Sequence, residues 1–332
     1  MRFLVTGVGG FIGGSLAETL VTGGHEVIAT YRKTLPRLTG ASERMRLVAM
    51  DLAESWPSVD PVDVVIHAAA QTHLIPDATA WDYVRSNILG TLNLLRYVKA
   101  VRPRLIVMLS TLSVYGEVLA SRLEEETWLN RPELYGATKY VAELAMREAA
   151  STLPVLCVRL PGVVGKGYFT PWLGGLVCAA SRHQGVRIYN PQAPFNNVVD
   201  LVELKRFIMH VVGRGLSGWE VVNLAAAEPM SIRSVAELVV SLTGSHSSIV
   251  EEMPRSARTS FVISIERLKK RLLFHPASTR AIIHRYVAEN LEVLRAFPQD
   301  PNVAEAVGAR KPGTGVDDDG TTFVPRHPLR EG

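Results

Sequence analysis

Cysteine is nearly missing: Cys157 and Cys178 are the two in 332 residues, and both lie in apolar stretches. Two such residues make neither a disulfide framework nor a metal-ligand set. They read as small core residues in a reducing compartment, so a cytoplasmic protein without a metal is expected. A surplus of one charge is also lacking. The net charge is +4, with Lys and Arg scattered along the chain rather than striped, which argues against nucleic acid as a partner. No apolar run is long enough to span a bilayer, and no charged-then-apolar leader precedes the first strand, so neither a membrane span nor export is expected. Apolar residues are plentiful, at 47%. They suffice for one large domain, or one domain with a smaller lobe.

The chain starts with MRFLVTGVGGFIGGSLA. A short apolar strand, Phe3–Thr6, runs into Gly7-x-x-Gly10-x-x-Gly13 and then a helix expected over Phe11–Val21. Gly7 permits a sharp turn off the strand. Gly10 lets backbone N–H groups approach a pyrophosphate, and Gly13 lets the helix pack close to the sheet. The helix N-terminus adds partial positive charge. In that strand–turn–helix setting the glycines point to a dinucleotide.

Further strands are expected at Glu26–Thr30, Arg46–Ala49, Val62–His67, Leu105–Ser110 and Val155–Leu160, short and β-branched as strands covered on both faces should be. Helices are expected over Trp81–Ala100 and Leu134–Ala150. The alternation predicts an α/β fold, a Rossmann-type doubly wound parallel sheet with right-handed crossovers and a smaller C-terminal substrate-binding lobe. The expected division is a cofactor domain over 1–160 with returning segments about 195–225, and a lobe formed by 161–194 and 226–296. In the second half, a helix is expected over Gly175–Gln184, a strand over Val221–Leu224, and a helix over Ser231–Leu242 with Ser231 as its cap. From Phe297 onward the chain is rich in Pro, Gly and Asp, which predicts a poorly ordered tail over 297–332.

Tyr135-Gly-Ala-Thr-Lys139 is the second signal. Tyr and Lys four apart share a helix face. An ammonium beside a phenol stabilises phenolate and lowers its pKa from about 10 toward neutrality, fitting it for proton exchange with an alcohol–carbonyl pair. The bland alternative is a surface tyrosine and a solvated lysine. Ser110-Thr111-Leu-Ser113-Val-Tyr115-Gly116 ends the preceding strand and brings hydroxyls to the sheet edge where ligands of open α/β sheets bind.

The set TGVGGFIGG, His67-Ala-Ala-Ala70, Asn87 with Gly90-Thr91, STLSVYG, YGATK and Arg159-Leu-Pro161-Gly resembles the extended short-chain dehydrogenase/reductase family. More narrowly it is similar to its NAD(P)-dependent nucleotide-sugar epimerases and dehydratases. The likeness runs from about Met1 to Pro276 and includes Phe195-Asn-Asn-Val-Val-Asp200, Val222-Asn-Leu-Ala and Leu272-x-x-His-Pro276. The resemblance implies Tyr135 as catalytic acid/base and Lys139 as its activator and a holder of the nicotinamide ribose. Thr111 would hydrogen-bond the sugar oxygen. Gly7, Gly10, Phe11, Ile12 and Gly13 would line the pyrophosphate, and Asp51 and Leu52 would meet adenine. Ala68, Ala69, Ala70, Asn87 and Pro161 would lie along the cofactor. Thr72 and His73 match a segment that meets the sugar, although a structural role for His73 stays open.

Several departures from the family pattern bear on function. NAD-preferring members end the second strand with an acidic residue; here the place reads Ala29-Thr30-Tyr31-Arg32-Lys33. Tyr31, Arg32 and Lys33 offer no carboxylate and two cations for a 2′-phosphate, so NADP is expected over NAD. A solvated turn is the plain alternative. Dehydratases of the family carry Asp-Glu after the catalytic Thr, where Leu112 and Ser113 stand, so dehydration is not expected. Val164 replaces a frequent Tyr. An Arg is frequent where Asn196 or Asn197 stands, which leaves Arg258, then Arg255, as the expected diphosphate contact beside Asn196.

Two chemistries fit these residues. One is epimerisation through a transient keto-sugar, placed first; the other is NADPH-dependent reduction of a nucleotide-linked 4-keto-6-deoxy sugar. A non-catalytic NADP-binding regulator or assembly protein is the third reading, by fold analogy alone. Apolar positions on the helices 81–100 and 134–150, beyond what a sheet needs, lead to the expectation of a homodimer.

Overall fold

The computed structural model describes residues 1–33, 43–54, 56, 60–74, 77–169, 171–252 and 260–296. The expected tail at 297–332 lies outside the described residues, as do Arg255 and Arg258. Seven parallel strands form the central sheet: β1 (Arg2–Thr6), β2 (Glu26–Tyr31), β3 (Met45–Ala49), β4 (Val64–His67), β5 (Leu105–Thr111), β6 (Val155–Leu160) and β7 (Trp219–Asn223). Their spatial order is β7-β6-β5-β4-β1-β2-β3. The order grows outward in both directions from β1, which is the doubly wound arrangement the alternating sequence predicts. Registers pair Thr6 with both Thr30 and His67, and Arg159 with both Ser110 and Asn223, so the carboxyl ends of the strands line one edge.

Side-chain alternation along the strands divides the apolar residues between two layers. Phe3 and Val5 pack with Leu16 and Leu20 of α1 (Phe11–Thr22) and with Leu204, Phe207 and Val211 of a later helix. Leu4, Val65 and Ile106 pack on the opposite face, against Leu94 and Val98 of α2 (Gly90–Val101) and Ala142 and Met146 of α3 (Leu134–Ala149). β4 and β6 are buried along their whole length. β3 departs from the expectation of coverage on both faces: among the described residues it pairs only with β2, at the end of the sheet, and much of it is exposed.

The helices α4 (Pro171–Ser181), α5 (Leu201–Arg214), α6 (Ile232–Thr243), α7 (Glu266–Leu272) and α8 (Thr279–Ala296) complete the fold. A separate core joins Trp172 and Val177 of α4, Val235 and Val239 of α6, and Ile282, Ile283 and Tyr286 of α8. Ser231 caps α6 by accepting from Ser234 N–H at 3.1 Å. The helix expected over Trp81–Ala100 is not continuous. A short helix, Ala80–Tyr83, starts at a Thr79–Asp82 capping box; a π-helical turn, Val84–Leu89, then leads into α2. The wider turn coincides with Asn87, whose buried amide donates to Gln71 O at 3.1 Å and Thr138 Oγ1 at 3.0 Å.

His67 ends β4 fully buried. Its Nδ1 lies 2.8 Å from the Thr6 hydroxyl and its Nε2 lies 3.0 Å from the Thr91 hydroxyl. Thr91 spends its own proton on Asn87 O at 2.7 Å, so Nε2–H donates to Thr91 and Nδ1 accepts from Thr6. The ring is neutral: burial, then the nearby Lys139 charge, pulls its pKa down to about 3. The unfolded chain takes up this proton near 6.5 and the folded chain does not, so stability is lost as pH falls from 6.5 toward 3. Urea unfolding should show this group costing about 1.4 kcal/mol between pH 7.5 and 5.5. His67→Gln should be less stable at pH 7.5 and should lose that part of the slope.

Candidate active site

The glycine turn sits at the carboxyl end of β1. Gly7 has φ +74°, and a Cβ there would stand 2.6 Å from Ala69 Cα; at Gly13 a Cβ would stand 2.4 Å from Gly7 O. Only glycine allows these approaches. Gly10 is the N-cap of α1, offers no capping side chain, and no acidic residue occupies the first turn. The first-turn N–H groups of Phe11 and Ile12 are thus presented to an anion, and the residues present fit a dinucleotide's phosphates. The Phe11 ring itself stacks on Tyr168 at 4.2 Å. Ala68, Ala69 and Ala70 are half-buried and follow His67 at the same edge, with Ala69 N–H donating to Thr6 Oγ1 at 3.2 Å.

The other residues expected around a cofactor divide. Tyr31 is half-buried against the core, Arg32 donates to Ser86 Oγ at 3.1 Å, and Lys33 is exposed. No carboxylate ends β2. Leu52 is buried, and Asp51 pairs with Arg85 at 2.6 Å. Pro161, half-buried, follows the last residue of β6. Asn87, also expected along the cofactor, is buried, its side-chain amide bonded to Gln71 and Thr138.

Thr111 ends β5 and caps the 3₁₀ turn Leu112–Tyr115, its hydroxyl accepting from Ser113 N–H at 3.1 Å. Tyr135 and Lys139 lie on α3. Gly136 brings that helix against the turn: a Cβ there would lie 2.0 Å from Ser113 O. This approach brings Tyr135 to the turn that carries Thr111, whose hydroxyl also donates to Ser113 Oγ at 3.1 Å. The expected Lys139–Tyr135 coupling is corrected. Lys139 donates to Leu109 O at 2.8 Å, and burial lowers its pKa to about 8, opposed by Cys157 and Glu143. Tyr135 is pushed up to about 12 by burial, with the Thr111 hydrogen bond opposing. The backbone carbonyl competes for the ammonium, and sequence spacing could not reveal that.

Beneath these residues lies a buried ion pair. Glu143, one turn beyond Lys139, pairs with Arg159 of β6 at 2.7 Å and accepts from Ser110 Oγ at 2.5 Å. Arg159 also donates to Tyr115 Oη at 2.9 Å and Glu125 O at 3.0 Å. Tyr115 Oη donates to Asn223 Oδ1 at 2.8 Å, and Asn223 N–H donates to Glu125 Oε1 at 2.7 Å. Arg159, Tyr115 and Asn223 stand inside quoted motifs, but sequence reading gave them no role. A Glu four residues after Lys139, on the same helix face, was the available signal.

Among the expected sugar contacts, Thr72 is half-buried beyond β4, and the His73 ring is 5.4 Å from that of Tyr135. Asn196 is buried: its Nδ2 donates to Ala226 O and Ile263 O, and its Oδ1 accepts from Ile263 N–H, so it ties backbone segments together inside the protein. Tyr83, whose ring is 6.4 Å from Tyr135, and Glu133, the N-cap of α3, complete the surroundings and were not singled out from sequence.

A family model described as the NAD dependent epimerase/dehydratase family matches residues 3–225. A UDP-N-acetyl-alpha-D-glucosaminuronate decarboxylase of Bacillus cytotoxicus is 27% identical over 312 residues, covering 83% of this chain and 92% of that protein. A dTDP-glucose 4,6-dehydratase of Mycolicibacterium smegmatis is 34% identical over 161 residues, covering 44% and 48%. A dehydratase thus stands among the relatives, and the expectation against dehydration gains no support from them. The solved structure of UDP-glucuronic acid 4-epimerase from Bacillus cereus in complex with NAD shares the fold. Its TM-score is 0.72 at 20% identity, over 88% of this chain and 99% of that one.

Breaking one half of the buried pair strands the other charge. Arg159→Met should therefore cost about 3–5 kcal/mol in urea unfolding, and the double variant Arg159→Met/Glu143→Leu should be closer to wild type than the single variant.

Proposed function

The chain belongs to the NAD dependent epimerase/dehydratase family, and on that premise we propose that it acts at a carbinol carbon of a nucleotide-linked sugar, with epimerisation as the net reaction. The observation that supports this most is the convergence of Thr111, Tyr135 and Lys139 beside the glycine turn, on one edge of the sheet. A bound nicotinamide supplies a hydride acceptor and donor there. Gly7, Gly10, Phe11, Ile12 and Gly13 hold the phosphates by backbone. Ala68 to Ala70 and Pro161 border the cofactor, and Asp51 with Leu52 the adenine.

Tyr135 takes the hydroxyl proton as the sugar is oxidised and returns it on reduction, while Thr111 hydrogen-bonds the reacting oxygen. At about 12 the phenol is a poor acid near neutrality. A charged Lys139, on the same helix face, is the group in reach that favours phenolate once it leaves the Leu109 carbonyl. Thr72 and His73 border the sugar, in a substrate lobe built on the α4, α6 and α8 core.

A second reading, NADPH-dependent reduction of a keto-sugar, is favoured by the end of β2, where Arg32 and Lys33 stand without a carboxylate. It makes NADP the preferred cofactor. A homodimer is proposed because Leu92 of α2 and Val141 and Leu144 of α3 expose apolar side chains that a second copy would cover.

Tyr135→Phe should retain NAD(P)H affinity by fluorescence titration and lose at least about a hundredfold in turnover on a panel of UDP-, dTDP-, GDP- and CDP-sugars. Unchanged turnover would remove Tyr135 from the mechanism. Isomer formation without net NADPH loss marks the epimerase, and stoichiometric NADPH loss the reductase.

A further inference from the structure

Ser113 stands two residues after Thr111, in the 3₁₀ turn Leu112–Tyr115. Its main chain is held firmly: Gly116 N–H donates to Ser113 O at 3.2 Å, and α3 lies against the same carbonyl at Gly136. Ser113 is half-buried and bonds Thr111 twice. Thr111 Oγ1 accepts from Ser113 N–H at 3.1 Å and donates to Ser113 Oγ at 3.1 Å. A hydroxyl has one proton and two lone pairs. The Thr111 proton is spent on Ser113, so in this arrangement Thr111 has none to give a ligand. The Ser113 proton, by contrast, has no acceptor among the described residues. The bond between the two hydroxyls can therefore reverse. Rotation about the two C–O bonds lets Ser113 Oγ–H donate to Thr111 Oγ1, with both oxygens left in place. Thr111 then accepts from both the N–H and the Oγ–H of Ser113, and its own proton points at a third group.

We propose that Ser113 sets the polarity of the site: when a sugar binds, the Ser113 hydroxyl reverses and fills the second Thr111 lone pair, so that Thr111 donates to the reacting oxygen. The proposal rests on the nucleotide-sugar reading above, in which Thr111 hydrogen-bonds that oxygen. With both Thr111 lone pairs occupied, the sugar hydroxyl finds no acceptor in Thr111, and its proton is directed to Tyr135. The same orientation serves the keto form, whose carbonyl oxygen carries no proton and needs a donor. Donation from Ser113 also polarises the Thr111 O–H and strengthens its bond to that oxygen, as hydrogen bonds in a chain do. Leu112, between the two, packs against the core and offers no polar side chain. Ser113 is thus a positioning residue that acts through Thr111.

The test is a double-variant cycle on the NAD(P)-loaded protein, using whichever sugar of the UDP, dTDP, GDP and CDP panel wild type turns over fastest. Single turnovers read by nicotinamide absorbance keep slow variants measurable. Ser113→Ala removes the hydroxyl and keeps the backbone N–H and carbonyl. It should lower kcat by about three- to tenfold, the worth of one hydrogen bond, and leave KM within about twofold of wild type. The melting temperature and NAD(P)H affinity should stay unchanged. Ser113→Thr keeps the hydroxyl and should recover most of the loss. In a Thr111→Val background, Ser113→Ala should have no further effect, because its partner is gone. An undiminished kcat in Ser113→Ala would overturn the proposal, as would a loss that Ser113→Thr fails to recover. An equal fall in the Thr111→Val background would also overturn it, by marking Ser113 as a group that meets the sugar directly. Turnover of no sugar by wild type, with cofactor still bound, would overturn the catalytic reading itself and the proposal with it.

Discussion

The arrangement of the site depends on the buried ion pair between Glu143 and Arg159. Two charges inside a protein are tolerated only when each is paired and hydrogen-bonded, because each loses several kcal/mol of hydration. Here both are well satisfied: Glu143 by Arg159 and Ser110, Arg159 by Tyr115 and the Glu125 carbonyl. The network joins β5, β6, β7, α3 and the turn after β5. It therefore fixes the rotation of α3 about its own axis. Tyr135 and Lys139 stand two turns and one turn before Glu143 on the same stripe, so fixing Glu143 aims both at the sheet edge.

That edge explains why distant segments meet. In a parallel sheet every strand runs the same way, so the carboxyl ends of β1, β4, β5 and β6 bring Gly7, Ala68, Thr111 and Pro161 to one side. The glycines then decide how closely the pieces approach. Gly7 and Gly13 tighten the turn after β1, and Gly136 lets α3 close on the turn that carries Thr111. Lys139 donates to the Leu109 carbonyl, and burial makes Tyr135 a weak acid.

Much of this was legible in the sequence, for identifiable reasons. Short β-branched strands alternating with helices specify a doubly wound sheet, and β6 fell at Val155–Leu160 as read because both of its neighbours bury it. The glycine turn and Tyr135-x-x-x-Lys139 are local patterns, so spacing alone carried them. What escaped reading is non-local. The hydrogen bonds that Asn196 and Asn87 make to backbone carbonyls far away in sequence have no local signature. The π-helical turn at Val84–Leu89 has no periodicity signature in so short a stretch. Tyr83 gains meaning only from its packing against Tyr135.

The central claim is that hydrogen moves as hydride between a nicotinamide and one sugar carbon, with Tyr135 handling only the hydroxyl proton. The most direct measurement is to run the reaction in D₂O and read the product by NMR and mass spectrometry. The account predicts no solvent deuterium on the carbon that bears the inverted or newly formed hydroxyl, because its hydrogen comes from the nicotinamide. Deuterium at that carbon would show that it was protonated from solvent, and would contradict the account.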